Sequence, residues 1–202
     1  YWKYGYNRYF DSFEHYYSLY QRRNLDLWAE YADGKVTKEE LNRQRYLYPL
    51  EAVGAGDSTL AKAYERDALT MIPTKSKLMP HAREVLEYLS GKYNLYILSN
   101  GFKELQSHKM RSSGIDEYFK KVVLSDDIGI LKPWPEIFHF ALSTTQSELN
   151  NSLMIGDSWE NDIVGAAGVG MHQVFYNLSG RTDLPFAPTY QITDLKDLFN
   201  FL

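Results

Sequence analysis

The chain has 202 residues, and its 22 Lys and Arg against 26 Asp and Glu give a formal net charge of −4. This mildly acidic balance disfavours a nucleic-acid partner, which usually requires a basic face, and no run approaches the ~18 consecutive apolar residues of a membrane helix. The absence of cysteine excludes disulfides, thiolate nucleophiles and cysteine-ligated zinc. From these features together we expect a cytoplasmic protein with no nucleic-acid or membrane partner.

The first 77 residues carry helix signals and no strand signals. Aromatic and aliphatic residues recur at helical spacing early in this segment. Thr37 then begins a capping-box pattern, and Pro49 is expected to end the helix that follows it. The predicted helices cover 11–31, 38–48 and 59–71. We interpret residues 1–77 as an all-helical module.

Strand and helix signals alternate after Pro73. Short apolar runs predict strands at steps of roughly 20–30 residues, with a helix between successive strands. This is the βαβ pattern of a parallel sheet with helices on both faces. The predicted strands are 95–98, 122–124, 153–155 and 173–176, and the predicted helices are 80–89, 102–113, 135–143, 160–167 and 195–201. We therefore predict an α/β domain over residues 78–202.

Polar residues follow three of the predicted strands. They are Ser99, Asn100 and Gly101 after the first strand, Lys132 in the loop after the second, and Asp157 after the third. Ligands of parallel sheets bind beyond the carboxyl ends of the strands, so we expect these residues to converge on one rim.

Each of these residues also has an ordinary interpretation, as a turn, a solvated lysine or a helix cap. Their joint placement instead favours a phosphate site. Ser99 can donate a hydroxyl hydrogen bond, aided by the backbone N–H groups of Asn100 and Gly101 at a helix start. Lys132 supplies a positive charge, and the carboxylate of Asp157 suits Mg²⁺. Asp162, in the next predicted helix, can hold Lys132 or a metal-bound water.

These residues resemble three motifs of the haloacid dehalogenase (HAD) superfamily. They are Leu98-Ser-Asn-Gly101, Lys132-Pro133 and Gly156-Asp157 with Asp162. The stretch 154–171 is the most specific match. The resemblance covers 78–202 as a HAD-like Rossmannoid α/β core, and it accounts for 1–77 as the helical cap that the family inserts between its first and second motifs.

The family's first motif, Asp-x-Asp-x-(Thr/Val), supplies the nucleophile and the general acid/base, and it has no match here. Asp126-Asp127 has the wrong spacing. In the family this motif lies on the central strand, and loss of that strand would expose two unpaired strand edges. We therefore interpret the chain, which begins with Tyr1, as lacking one strand and a segment leading into the cap. A natural relative without a nucleophile is the alternative.

The resemblance implies a Mg²⁺-dependent phosphatase of a small phosphorylated metabolite, acting through an aspartyl-phosphate. Ser99 and Lys132 would bind the phosphoryl group and Asp157 would hold Mg²⁺. The chain is similar to the branch that includes pyrimidine-type 5′-nucleotidases, so a nucleoside 5′-monophosphate is the expected substrate, and the 202 residues alone are expected to be inactive. A monomer or homodimer is expected.

Two alternatives remain at this point. One is a non-catalytic module on the same scaffold that binds a phosphoryl ligand or a protein. The other is a hydrolase of the 2-haloacid dehalogenase type, which Gly156-Asp157 disfavours because the superfamily's dehalogenases need no metal and usually lack this pair.

Overall fold

The computed structural model describes all 202 residues, which form two compact units, Tyr1–Pro73 and Thr74–Leu202. The sequence predicts the boundary four residues further on, between 77 and 78. The first unit is helical and the second combines helices with parallel strands, so the predicted fold class is confirmed. None of the helices combines the length and the apolar composition needed to cross a bilayer.

Three α-helices make up most of the first unit, and capping side chains begin each of them. Ser12 Oγ accepts a hydrogen bond from the backbone of the first helix. Thr37 and Glu40 form the predicted capping box of the second, and Asp57 caps the third. The helices are α1 (Phe13–Ala32), α2 (Lys38–Ala52) and α3 (Ser58–Met71).

Helix α2 continues through Pro49, so the prediction that Pro49 ends it is wrong. Proline removes one helical hydrogen bond and normally costs about 3 kcal/mol in a helix interior. Here it lies in the last turn, and both Pro49 and Leu50 are fully buried. Packing in the core therefore offsets the lost bond.

Tyrosine rings form the core of the helical unit. Tyr6, Tyr16 and Tyr46 are buried, and Tyr64 packs against them. The ring centroids of Tyr46 and Tyr64 lie 5.0 Å apart, and those of Tyr6 and Tyr16 lie 5.2 Å apart in an edge-to-face arrangement. Burial raises the pKa of the hydroxyls of Tyr6, Tyr16 and Tyr46 well above the usual value for tyrosine.

The second unit contains five strands in two parallel sheets. One sheet has the order β1-β2 and the other has the order β3-β4-β5. The strands are β1 (Leu95–Ser99), β2 (Phe119–Leu124), β3 (Leu153–Gly156), β4 (His172–Tyr176) and β5 (Tyr190–Ile192). No ladder joins β1 to β3, so each of these strands has one unpaired edge, as expected for a core that lacks its central strand. The sequence missed β5, whose three residues are too few to form a pattern.

Helices cover opposite faces of the three-stranded sheet. Helix α4 (Ala82–Ser90) packs on the face that carries Leu153 and Ile155. Helix α6 (Pro135–Thr145) packs on the face that carries Met154. Because adjacent strand residues point to opposite faces, β3 is apolar on both sides, as expected for a parallel sheet.

The helix after β3 begins as a π-helix, Trp159–Val164, and continues as the short helix α7 (Gly165–Gly168). The backbone N–H of Ile163 reaches back five residues to the carbonyl of Ser158, the bond that defines a π-turn. The sequence predicted an ordinary α-helix over 160–167. The predicted last helix, 195–201, is a 3₁₀-helix over Leu195–Asn200.

Candidate functional site

The predicted site residues lie at the carboxyl ends of β1 and β3 and in the loop before α6. Ser99 is the last residue of β1, and helix α5 (Lys103–Ser113) begins shortly after it. Lys132 precedes α6, and Asp157 directly follows β3. In parallel sheets, ligands bind beyond the carboxyl ends of the strands. β1 and β3 belong to separate sheets, so their ends are connected through side-chain contacts.

Lys132 links the two sheets at this edge. Its Nζ donates to the carbonyl of Leu98 in β1 at 2.7 Å and to Asp162 Oδ1, in the π-helix after β3, at 2.6 Å. Lys132 is 8% exposed and Asp162 is 5% exposed. A buried ammonium requires such partners, because an unpaired charge in the interior is costly. The structure thus brings Lys132 and Asp162 into direct contact.

Asn100 fixes the backbone of Lys132. Its Nδ2 donates to the Lys132 carbonyl at 2.9 Å, and its Oδ1 accepts from the Lys132 N–H at 2.7 Å. The sequence predicted that the backbone of Asn100 binds phosphate, whereas the structure adds a role for its side chain. These paired bonds hold the loop that carries Lys132 against the end of β1.

Ser99 is held by groups on both sides. Its Oγ accepts from the backbone N–H of Gly101 at 3.0 Å and from Gln106 Nε2 at 2.6 Å. The Gly101 N–H is therefore engaged within the loop. Gln106 was not predicted as a site residue, because one glutamine in a helix carries no sequence pattern. Its only signal is its position in α5, the helix that opens from the loop containing Ser99.

The carboxylates of Asp157 and Asp162 have different environments. Asp157 is exposed, and its side chain has no hydrogen bond or ion pair within the protein. Asp162 Oδ2 accepts from the backbone N–H of Ser158 at 3.0 Å while Oδ1 binds Lys132. Asp162 packs directly on Gly156, where an added Cβ would lie 2.3 Å from Asp162 Oδ2. Glycine is thus required for this contact.

The donor set suits a divalent cation that is shared with a phosphate. No group of three or more His, Asp or Glu side chains could hold a metal ion by itself. Proteins usually bind Mg²⁺ through one or two carboxylates together with substrate phosphate. The unpaired carboxylate of Asp157, one residue before the Ser158 N–H that Asp162 accepts from, fits this mode.

A loop after β4 contacts the first residues of the π-helix, and the sequence did not predict this role. Arg181 donates to Glu160 Oε1 at 2.6 Å, and its guanidinium lies 5.7 Å from the centroid of the Trp159 ring. The Asn177 side chain accepts from the Arg181 N–H at 2.9 Å and braces the loop. Arg181 holds the pKa of Glu160 below its usual value. These contacts fix the start of the π-helix, next to Asp157.

Comparison with known proteins agrees with these features. A family model described as haloacid dehalogenase-like hydrolase matches residues 3–170. HAD-hydrolase YfnB of Bacillus subtilis (strain 168) is 29% identical over 187 residues, which cover 91% of this chain and 78% of that protein. Pyrimidine 5′-nucleotidase YjjG of Escherichia coli (strain K12) is 30% identical over 185 residues, with 91% and 80% covered.

Solved structures agree with the sequence relatives. The crystal structure of Bacillus subtilis YfnB bound to magnesium matches with a TM-score of 0.83 and 28% identity, covering 93% of this chain and 82% of that one. A dehalogenase structure matches with a TM-score of 0.77 and 26% identity, with 94% and 84% covered. The resemblance inferred from the motifs is confirmed: the chain belongs to the haloacid dehalogenase-like hydrolases.

Proposed function

We propose that this protein is a phosphatase that releases inorganic phosphate from a small phosphorylated metabolite, with Mg²⁺ as its cofactor and a nucleoside 5′-monophosphate as the leading substrate. The observation that carries the proposal is the arrangement at the rim. Lys132 is buried, and its Nζ bonds Leu98 at the end of β1 and Asp162 after β3. Ser99 ends β1 with its hydroxyl held on two sides, and the unpaired carboxylate of Asp157 directly follows β3. The resemblance to pyrimidine 5′-nucleotidase YjjG supports the choice of substrate.

The residues of this chain would divide the work of phosphoryl transfer, which depends mainly on positioning and charge stabilisation. Ser99 would donate its hydroxyl hydrogen to a phosphoryl oxygen, and Lys132 would offset negative charge on the same group. Asp162 would keep the Lys132 ammonium oriented. Asp157 would hold Mg²⁺, which when bound neutralises charge on the phosphate oxygens.

The nucleophile in this proposal is an aspartate outside these 202 residues. Strands β1 and β3 each leave one edge unpaired, and their apolar residues are only half-buried. A parallel strand between them would pair with both edges and bring its carboxyl end to the rim. The first aspartate of an Asp-x-Asp pair there would form a bond to phosphorus while the ester P–O bond breaks, and the second would give its proton to the leaving alcohol. Water would then hydrolyse the aspartyl-phosphate to free phosphate.

Turnover of p-nitrophenyl phosphate tests this proposal. We expect no Mg²⁺-dependent turnover from the 202-residue chain. We expect EDTA-sensitive turnover from a variant extended at its N terminus by a strand that ends in Asp-x-Asp, followed by a segment that leads into the helical unit. In that extended variant, Asp157→Asn should abolish turnover through loss of metal binding. Glu39→Gln, which likewise replaces an exposed carboxylate by a carboxamide, should leave turnover unchanged. EDTA-sensitive turnover by the unextended chain would contradict the missing nucleophile.

The likeness to a dehalogenase structure supports a second candidate, a dehalogenase. The substrate class that the sequence analysis gives for this alternative is a 2-haloacid. The extended variant should be offered 2-chloropropionate in parallel with nucleoside 5′-monophosphates. Release of phosphate without release of chloride supports the phosphatase, and the opposite result supports the dehalogenase. Binding of phosphate without turnover of either substrate would support the non-catalytic module. The expected monomer or homodimer and the cytoplasmic location stay predictions.

A further inference from the structure

The hydroxyl of Ser99 is constrained by the two hydrogen bonds that it accepts. A serine hydroxyl has two acceptor lone pairs and one donor hydrogen. The Gly101 N–H and Gln106 Nε2 occupy both acceptor positions, at 3.0 and 2.6 Å. No acceptor within the protein takes the hydroxyl hydrogen of Ser99. That hydrogen is left to point away from both donors.

Gln106 reaches Ser99 because Gly101 leaves room for it. An added Cβ at Gly101 would lie 2.9 Å from both Cγ and Nε2 of Gln106. The contact therefore depends on the absence of a side chain at position 101. Gln106 is half-buried on α5, seven residues after Ser99, so the helix and the loop hold the amide against the hydroxyl.

We propose that Gln106 is a positioning residue for phosphoryl recognition, which fixes the Ser99 hydroxyl as a hydrogen-bond donor to an anionic oxygen of the ligand. The inference rests on the proposed phosphate site. A phosphoryl oxygen has lone pairs and no hydrogen, so it can only accept. A hydroxyl that already accepts two hydrogen bonds can only donate, so it suits a ligand oxygen that can only accept. It offers no lone pair to a ligand group that donates. Gln106 does this without adding negative charge beside the phosphate.

Binding of inorganic phosphate to the 202-residue chain, followed by ³¹P NMR line width, tests the inference without requiring turnover. Gln106→Met keeps the shape of the side chain and removes its donor. We expect it to weaken phosphate binding about 3- to 10-fold, the value of one hydrogen bond. Gln106→Glu should weaken binding more, because its carboxylate captures the Ser99 hydrogen and repels the anion. Gln191→Met, the same exchange at an exposed strand position, is the matched control.

A double-mutant cycle separates this role from a merely structural one. If Gln106 acts through Ser99, then Gln106→Met should cost little further affinity in a Ser99→Ala background, since the hydroxyl is already gone. An equal loss in both backgrounds would overturn the inference. So would unchanged phosphate affinity in Gln106→Met and Gln106→Glu when circular dichroism shows both to be folded.

Failure of the proposed phosphate site gives a different result. In that case the wild-type chain binds no phosphate, or Ser99→Ala binds it as tightly as the wild type does. A wild-type chain that loses affinity on Ser99→Ala, yet not on either Gln106 substitution, would retain the phosphate site and reject the role of Gln106. Gly101→Ala, which displaces Gln106 from Ser99, should reproduce the loss seen in Gln106→Met.

Discussion

Lys132 Nζ donates a hydrogen bond to Asp162 Oδ1 at 2.6 Å, and the side chains of both residues are less than a tenth exposed. The two residues are 30 positions apart in sequence. They come together because one precedes α6 and the other follows β3. A buried pair of this kind contributes little net stability while intact, yet losing one partner costs about 3–5 kcal/mol.

Asp162→Asn should therefore lower the free energy of unfolding by about 3 kcal/mol, because it leaves the Lys132 ammonium buried without a counter-charge. Urea unfolding followed by circular dichroism measures this. The double substitution Lys132→Met with Asp162→Asn also removes the unpaired ammonium, so it should recover part of the lost free energy of unfolding. A single mutant as stable as the wild type would show that the pair is not buried in solution.

Gly156→Ala should destabilise the protein by about 1–3 kcal/mol, the usual cost of overpacking a core position. The added methyl would collide with Asp162 and displace it from Lys132. Gly168→Ala is the matched control, because nothing lies within 4 Å of its added Cβ. Thermal unfolding should show a lower midpoint for the first variant and an equal or higher one for the second. Equal midpoints in both variants would argue against the tight contact.

The tyrosine core should make the protein sensitive to alkali. Burial raises the pKa of Tyr16, so the native state keeps a proton that the unfolded chain loses near pH 10. Stability contributed by this group is full below about pH 10 and falls as the pH rises further. Tyr16→Phe should reduce the alkaline slope of the unfolding free energy by about 1.4 kcal/mol per pH unit. The exposed exchange Tyr17→Phe is its control, and identical slopes for Tyr16→Phe and the wild type would refute the prediction.

The ion pair between Arg181 and Glu160 should affect the stability of the protein at acidic pH. Arg181 lowers the pKa of Glu160, so the pair stabilises the fold above the usual glutamate value of 4.5 and loses this effect as the pH falls. In Glu160→Gln, the thermal midpoint should fall less steeply than in the wild type as the pH is lowered. The difference should be small, because Glu160 is largely exposed. Arg181→Gln should reduce the steepness of this fall equally. A steeper decline in either variant would contradict this sign.

Polar residues that directly follow an apolar strand could be predicted from the sequence, and Ser99 and Asp157 were located in this way. Their chemistry follows from residue type and from the end of the sheet that they occupy. Gln106 and Arg181 could not be predicted, because each acts through a contact that only the fold creates. The π-turn at Trp159–Val164 likewise depends on the hydrogen bond from the Ile163 N–H to the Ser158 carbonyl, which helix propensities of the residues do not predict.

The open edges of β1 and β3 give the chain a second possible partner, which is another copy of itself. Leu95-Tyr-Ile-Leu98 and Leu153-Met-Ile155 contain no proline and no charged residue to block intermolecular pairing. Unpaired backbone N–H and C=O groups on an uncharged, apolar edge are a template for pairing with another chain. Self-association that rises with concentration and binds thioflavin is therefore the expected fate of the chain whenever nothing occupies those edges.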